Sequence, residues 1–356
     1  MKPSAMAGQN ANWSNQMRRC TFTTRLLACR SRIKLSTAAF RADSAFHVKR
    51  LLPQRPDTTY PCWPQTKRGD QRLCRDGADP VEDGGMAMPN DLVLVRHGES
   101  EANIIQKADK EGSAHPKADL LNDRPDWQQR LSPLGIKQAI QAKTWIDDHL
   151  SGAGSFDARY VSPFLRARET AAYLGGEHCG GWTVDDRIAE RSWGVYGIVP
   201  RPERRSQFPL TKKLHDVTPW YVRFDGGESM PDVYGRFRDF QGTLHREHFG
   251  QRVLLVSHGD FINVARYGVE RMLPEEWEAM DRNPRYTLRN CSITHYSRVN
   301  PSDPFDVRDK LRWRRMVYTD TFAESPDGGE WVEVPARRRY TGGELLAQAD
   351  IAPRVI

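Results

Sequence analysis

Leu92-Val93-Leu94-Val95-Arg96-His97-Gly98-Glu99-Ser100 decides how this chain is read. Four successive apolar residues fit a short strand buried on both faces, as in the middle of a parallel sheet. The strand ends in a basic side chain, an imidazole and a glycine. Val253-Leu254-Leu255-Val256-Ser257-His258-Gly259 repeats the pattern much later in the chain.

Between and around these strands the texture alternates. Ser132-Pro133 opens a helix, with Ser as N-cap and Pro at the first helical position; Ala139, Ala142, Ile146 and Leu150 share one face of it. Tyr160-Val161 predicts a strand running into Ser162-Pro163, a second capped helix start that carries Arg166 and Thr170. A strand is expected over Trp182–Ile188, then an irregular excursion from Pro200 to Pro219. Gly226-Gly227-Glu228-Ser229 leads to a helix with the apolar stripe Val233, Phe237, Phe240 and Leu244. Further strands are expected at Ser292–Arg298 and Leu311–Tyr318. Strands alternating with helices predict an α/β fold, a three-layer sandwich whose mostly parallel central sheet is flanked by helices.

Ligands in such sheets sit beyond the carboxyl ends of the strands. Parallel strands would bring His97 and His258 to one edge, with the glycines giving the backbone room to turn. Arg166, near the start of its helix, would point to the same edge. Arg96 and Arg166 with two imidazoles make a pocket for a tetrahedral dianion, since guanidinium forks match phosphate oxygens. A neutral His97 can then attack phosphorus in line, and Glu190 is the candidate acid for the departing alkoxide. Asp260, directly after His258-Gly259, is the rival acid.

Arg96-His97-Gly98-Glu99-Ser100 resembles the Arg-His-Gly-Glu signature of the histidine phosphatases, a phosphoglycerate mutase-like family whose histidine accepts the phosphoryl group. Ser162-Pro163-Phe164-Leu165-Arg166-Ala167-Arg168-Glu169-Thr170-Ala171 is similar to its Ser-Pro-x-x-Arg-Ala-x-x-Thr-Ala segment. Ser257-His258-Gly259 resembles its second histidine motif, and Glu190 falls where the family keeps its proton donor. The likeness covers roughly residues 90–300. It implies a catalytic set of Arg96, His97, Arg166, Glu190 and His258, with Arg96, Asn103, Arg166 and His258 binding substrate. A plain helix-start role would explain Asn103 equally well. No cofactor and no metal are implied, and the partner is a small phosphorylated substrate. Where the family's mutases carry Trp-Asn, Ala102-Asn103 stands here, which favours hydrolysis over mutase chemistry. A non-catalytic phosphate- or phosphopeptide-binding module is the reading from another class, opposed by the intact His97, Arg166 and His258.

Residues 1–85 hold 15 Lys and Arg against 7 Asp and Glu, leaving 38 basic and 39 acidic residues beyond. The positive charge therefore belongs to a leader, not to the body, and argues for no nucleic-acid partner. The first 42 residues lack acids but carry Arg18, Arg19, Arg25, Arg30, Arg32 and Arg41, the composition of an organelle transit peptide. A translation start at Met86 or Met88 explains the leader as well. The catalytic domain is expected over 86–356, with a mobile tail from Val334. Four of six cysteines lie in the leader; Cys179 and Cys291 make no disulfide framework, so a reduced, cytoplasmic setting is expected. No apolar run approaches membrane-spanning length. His245 and His248 read as a solvated helix end rather than metal ligands, lacking a third partner. Oligomeric state and substrate are not legible.

Overall fold

The computed structural model describes residues 88–113, 115–116, 120, 124–176, 179–320, 324–352 and 354. The basic leader 1–85, with its four cysteines, and the alternative start at Met86 lie outside the described residues. The chain begins with β1 (Asp91–Arg96), α1 (Glu101–Lys110), α2 (Pro133–Leu150), β2 (Ala158–Val161), α3 (Leu165–Gly175) and β3 (Thr183–Val184). Three short helices, α4 (Gly194–Ile198), α5 (Arg201–Gln207) and α6 (Pro209–Val217), precede the long α7 (Met230–Glu247). Then come β4 (Arg252–Ser257), α8 (Gly259–Glu270), α9 (Pro274–Asp281), β5 (Ile293–Ser297), β6 (Val299–Asn300) and β7 (Asp303–Val307). β8 (Trp313–Val317), β9 (Val332–Glu333) and α10 (Gly342–Ala349) complete the order.

The main sheet runs β3-β2-β4-β1-β5-β8-β9. β3, β2, β4 and β1 are mutually parallel; β5, β8 and β9 extend the far side antiparallel. Pleating explains why Leu92 to Val95, the buried middle of β1, are all apolar. Leu92 and Leu94 face one layer, packing with Val253, Leu255 and the α7 stripe Val233, Phe237, Phe240 and Leu244. Val93 and Val95 face the other, with Leu254, Val256 and Ala139, Ala142 and Ile146 of α2. Each large side chain so buried contributes about 1.5–3 kcal/mol. The helices flank the sheet on both faces, as expected.

Several local expectations give way. Ser162 does not cap a helix: α3 starts at Leu165 with Phe164 as an N-cap that makes no side-chain bond. The strand expected over Trp182–Ile188 shrinks to Thr183–Val184, because the Asp185 carboxylate accepts from the Arg187 amide and winds Asp186–Ile188 into a 3-10 turn. The excursion at Pro200–Pro219 is helical, with Pro209 at the start of α6. Beyond the buried Val334, the tail expected to be mobile includes α10, opened by Gly342 and Gly343 and capped by Thr341. His248 is no solvated end either, since its ring nitrogens meet the Tyr160 hydroxyl and Gln251 Oε1, both at 2.7 Å. No helix among the described residues is long and apolar enough to cross a membrane.

Candidate active site

β1 and β4 pair in register from Asp91 against Arg252 to Arg96 against Ser257, so the residues that follow them emerge side by side. The His97 and His258 rings lie 5.0 Å apart between centroids, and both are buried. Gly98 is required by close approach: a Cβ there would stand 2.5 Å from the Gly135 carbonyl oxygen at the start of α2. Gly259 meets no such pressure, its nearest neighbour being Arg96 Nε at 3.6 Å from an added Cβ.

His97 is held as one tautomer. Its Nδ1 lies 2.7 Å from the Gly98 carbonyl, which only accepts, so Nδ1 carries the proton. Its Nε2 receives the Nε–H of Arg166 at 3.3 Å, and a guanidinium only donates, so Nε2 keeps its lone pair. Burial first, then Arg166 and Arg96, hold this imidazole well below its usual pKa of 6.5. It is neutral and nucleophilic near neutrality. Thr170 ties the pieces together, its hydroxyl accepting from the Gly98 amide at 3.1 Å and donating to the Arg166 carbonyl at 2.7 Å.

Arg166 reaches from the first turn of α3, with the Phe164 ring 4.8 Å from its Cζ. Glu169 is the carboxylate nearest to Arg166 along the chain. Yet Glu169 takes Arg130 and the Leu131 amide, while Arg166 pairs with Asp126. Arg96 donates Nη1 to the Leu288 carbonyl, and its buried Nε has no partner among the described residues. His258 accepts or donates through Nε2 to the Ser162 hydroxyl at 2.7 Å, leaving Nδ1 buried and unpartnered among the described residues. Burial, Arg166 and the His97 ring depress its pKa as well.

Glu190 and Asp260 stand together at this edge. Burial, then the Asp260 carboxylate, push Glu190 up to about 7, against the pull of Arg166 and Arg96. Burial raises Asp260 too, opposed by Arg191 and Arg96. Glu190 thus feels Arg166 and Arg96, whereas Asp260 feels Arg191 and Arg96. Asn103 serves the start of α1, its Oδ1 accepting from the Ser100 amide at 3.1 Å and from Asn290 Nδ2 at 3.2 Å. Asn290 also bonds the His97 carbonyl. Sequence reasoning passed over Ser162, Asn290 and Asp126. A Ser-Pro pair imitates a helix cap, and the other two are common surface residues whose partners lie far along the chain. Among the described residues no group of three or more His, Cys, Asp or Glu is arranged to hold a metal ion.

The family model described as histidine phosphatase superfamily (branch 1) matches residues 92–300. A protein named phosphoserine phosphatase 1, from Hydrogenobacter thermophilus, is 32% identical over 168 residues, 47% of this chain and 70% of its own. A phosphoglycerate mutase-like protein of Arabidopsis thaliana is 27% identical over 268 residues, 69% of this chain and 79% of its own. A solved mycobacterial glucosyl-3-phosphoglycerate phosphatase is 23% identical, covering 62% of this chain and 96% of its own. At a TM-score of 0.46 that likeness adds nothing to the family assignment.

Proposed function

Because this chain belongs to the histidine phosphatase superfamily, we propose that it hydrolyses the phosphomonoester of a small metabolite through a phosphohistidine on His97, without a metal. The observation that carries the reading is the fixed tautomer of His97, with its Nε2 lone pair against the buried Arg166 and in the field of the half-buried Arg96. In the first transfer Nε2 attacks phosphorus in line, an N–P bond forms and the P–O bond to the alcohol breaks. Glu190, protonated up to about neutrality, gives its proton to the departing alkoxide. In the second transfer the Glu190 carboxylate takes a proton from water, the oxygen attacks phosphorus, and the N–P bond breaks to release inorganic phosphate. Arg96, Arg166 and the Nδ1–H of His258 offset charge on the equatorial oxygens, which is the role a metal plays elsewhere.

The name of the Hydrogenobacter relative supports hydrolysis, and so does Ala102, which leaves no large side chain on α1 one residue before Asn103. The test is turnover of 4-nitrophenyl phosphate in the presence of a strong chelator, with His97→Ala as control. Activity that survives chelation and disappears in the variant, with the loss in kcat, supports the reading. Dependence on added magnesium or zinc would overturn it.

A further inference from the structure

Arg166 offers a ligand two edges, and the protein itself occupies one. Its Nη1 donates to the Asp126 backbone carbonyl at 2.7 Å and to Oδ1 at 3.1 Å, and Nη2 donates to Oδ2 at 3.2 Å. This fork closes the end-on edge formed by the two terminal nitrogens. A guanidinium has five N–H donors. Asp126 takes both on Nη1 and one on Nη2, so Nε–H and the second Nη2–H are left. Those two form the side-on edge, spaced for two oxygens of one phosphate. That edge faces the nucleophile, since Nε–H rests on His97 Nε2 at 3.3 Å.

We propose that Asp126 is a positioning residue for phosphoryl transfer: it clamps the end-on edge of Arg166 so that the side-on edge meets the phosphoryl group at His97. The inference rests on the reading of Arg166 as a phosphate ligand. When substrate enters, the Arg166 Nε–H turns its hydrogen bond from the ring nitrogen to a phosphoryl oxygen, and Asp126 stays where it is.

The segment carrying Asp126 is anchored on both sides. Arg124 pairs with Glu101 of α1 at 2.6 Å, and the Arg130 amide donates to the same carboxylate at 3.0 Å. The Leu131 amide donates to Glu169 of α3 at 2.7 Å. Glu169 lies one turn beyond Arg166, so clamp and clamped side chain share a helix as their reference. The Phe164 ring, 4.8 Å from the guanidinium carbon, bounds Arg166 on one side. Asp126 meanwhile keeps 56% of its side-chain surface in solvent against 6% for Arg166, so a ligand on the inner edge does not have to displace or desolvate it. A carboxylate acting as a rival for the phosphate would sit on the inner edge and on a free strap.

The experiment compares the full chain with Asp126→Asn, Asp126→Glu and Arg166→Lys, using 4-nitrophenyl phosphate as substrate and orthovanadate as the phosphate mimic. Asp126→Asn keeps the shape but sets an amide against Nη2–H. We expect kcat/KM to fall by up to about 100-fold, chiefly in kcat, with the melting temperature nearly unchanged. Orthovanadate inhibition should weaken in parallel, and Asp126→Glu should restore part of both. Tighter orthovanadate binding or faster turnover in Asp126→Asn would make Asp126 a competitor for Arg166 and overturn the proposal. Unchanged kinetics would reduce it to a surface ion pair, with the same consequence. Arg166→Lys tests the underlying reading separately: if it leaves turnover and inhibition intact, Arg166 binds no phosphate, whatever Asp126 does.

Discussion

The Ser162 hydroxyl lies 2.7 Å from Nε2 of His258, and the opposite nitrogen of that ring, Nδ1, meets no other partner among the described residues. Ser162 Oγ also accepts, at 3.4 Å, from the Phe164 amide, and in the proposed mechanism it gives its own proton to the imidazole. His258 then takes that proton's bond at Nε2 and carries its hydrogen on Nδ1. A neutral, depressed-pKa imidazole can donate to a phosphoryl oxygen only in this tautomer. Ser162→Ala should therefore lower kcat/KM roughly tenfold, the worth of one buried hydrogen bond of about 1.4 kcal/mol. Steady-state kinetics of Ser162→Ala, His258→Ala and the double variant check this. Additive losses, with the double variant much worse than His258→Ala alone, would show that Ser162 acts elsewhere.

The raised Glu190 sets the pH dependence. Its carboxyl titrates at about 7 in the folded chain and at 4.5 when unperturbed, so between those values the folded state holds a proton that the unfolded state has lost. On an alkyl phosphate, kcat/KM should fall as pH rises through about 7, because the acid is gone. The acidic limb belongs to His97 and lies below the usual imidazole value of 6.5. Nitrophenolate needs no proton on leaving, so its profile should lack the basic limb. The same linkage makes the carboxyl a growing cost to stability as pH rises from 4.5 to about 7. Glu190→Gln should thus remove the basic limb, slow alkyl phosphates far more than nitrophenyl phosphate, and raise the melting temperature at pH 8 but not near pH 4.5. A basic limb that survives in Glu190→Gln transfers the acid role to Asp260.

The parts of this molecule that could be read in advance are those whose cause is local. β1 and β4 are apolar because both faces are buried, and their ends carry the histidines. The α7 stripe is visible at helical spacing. Ser162 was misread because Pro163 makes it look like a cap, while its partner, His258, is 96 positions away. Asp126 gave no signal for the same reason: it stands in a polar stretch, 40 positions before the arginine it grips. The strand expected at Trp182–Ile188 failed on one side-chain contact, Asp185 with the Arg187 amide, that competes with pairing. Tertiary contact decides these cases, and spacing along the chain does not encode it.

A chain beginning at Met86 should fold and keep its activity. Met88 is buried in the core and its carbonyl accepts from Arg298 Nη1 at 2.8 Å, so the ordered contacts reach back to that point. The motif residues all lie beyond it. Thermal melting and turnover of the shortened protein against the full chain give the comparison. Insolubility, or a folded but inactive product, would assign the leader a part in the catalytic domain. An import assay on the full chain tests separately whether that leader directs the protein to an organelle.

The last expectation concerns what accepts the phosphoryl group from His97, since hydrolysis and mutase chemistry share their first half. A mutase must keep water from its phosphoenzyme until a sugar acid turns round in the site, which requires side chains closed over the ligand. Two features weigh against such closure. Asp126, on the outer edge of Arg166, has 56% of its side chain in solvent. α10, near the end of the described chain, has no buried residue, so none of its side chains is packed down as a fixed cover. In the proposed mechanism Glu190, pushed up to about 7, also takes a proton from water once the alcohol has left. Phospho-His97 trapped by an acid-free quench should therefore decay to free phosphate within seconds in buffer alone. A phosphoenzyme that lasts for minutes in water and discharges only when 2- or 3-phosphoglycerate is added would reverse this conclusion.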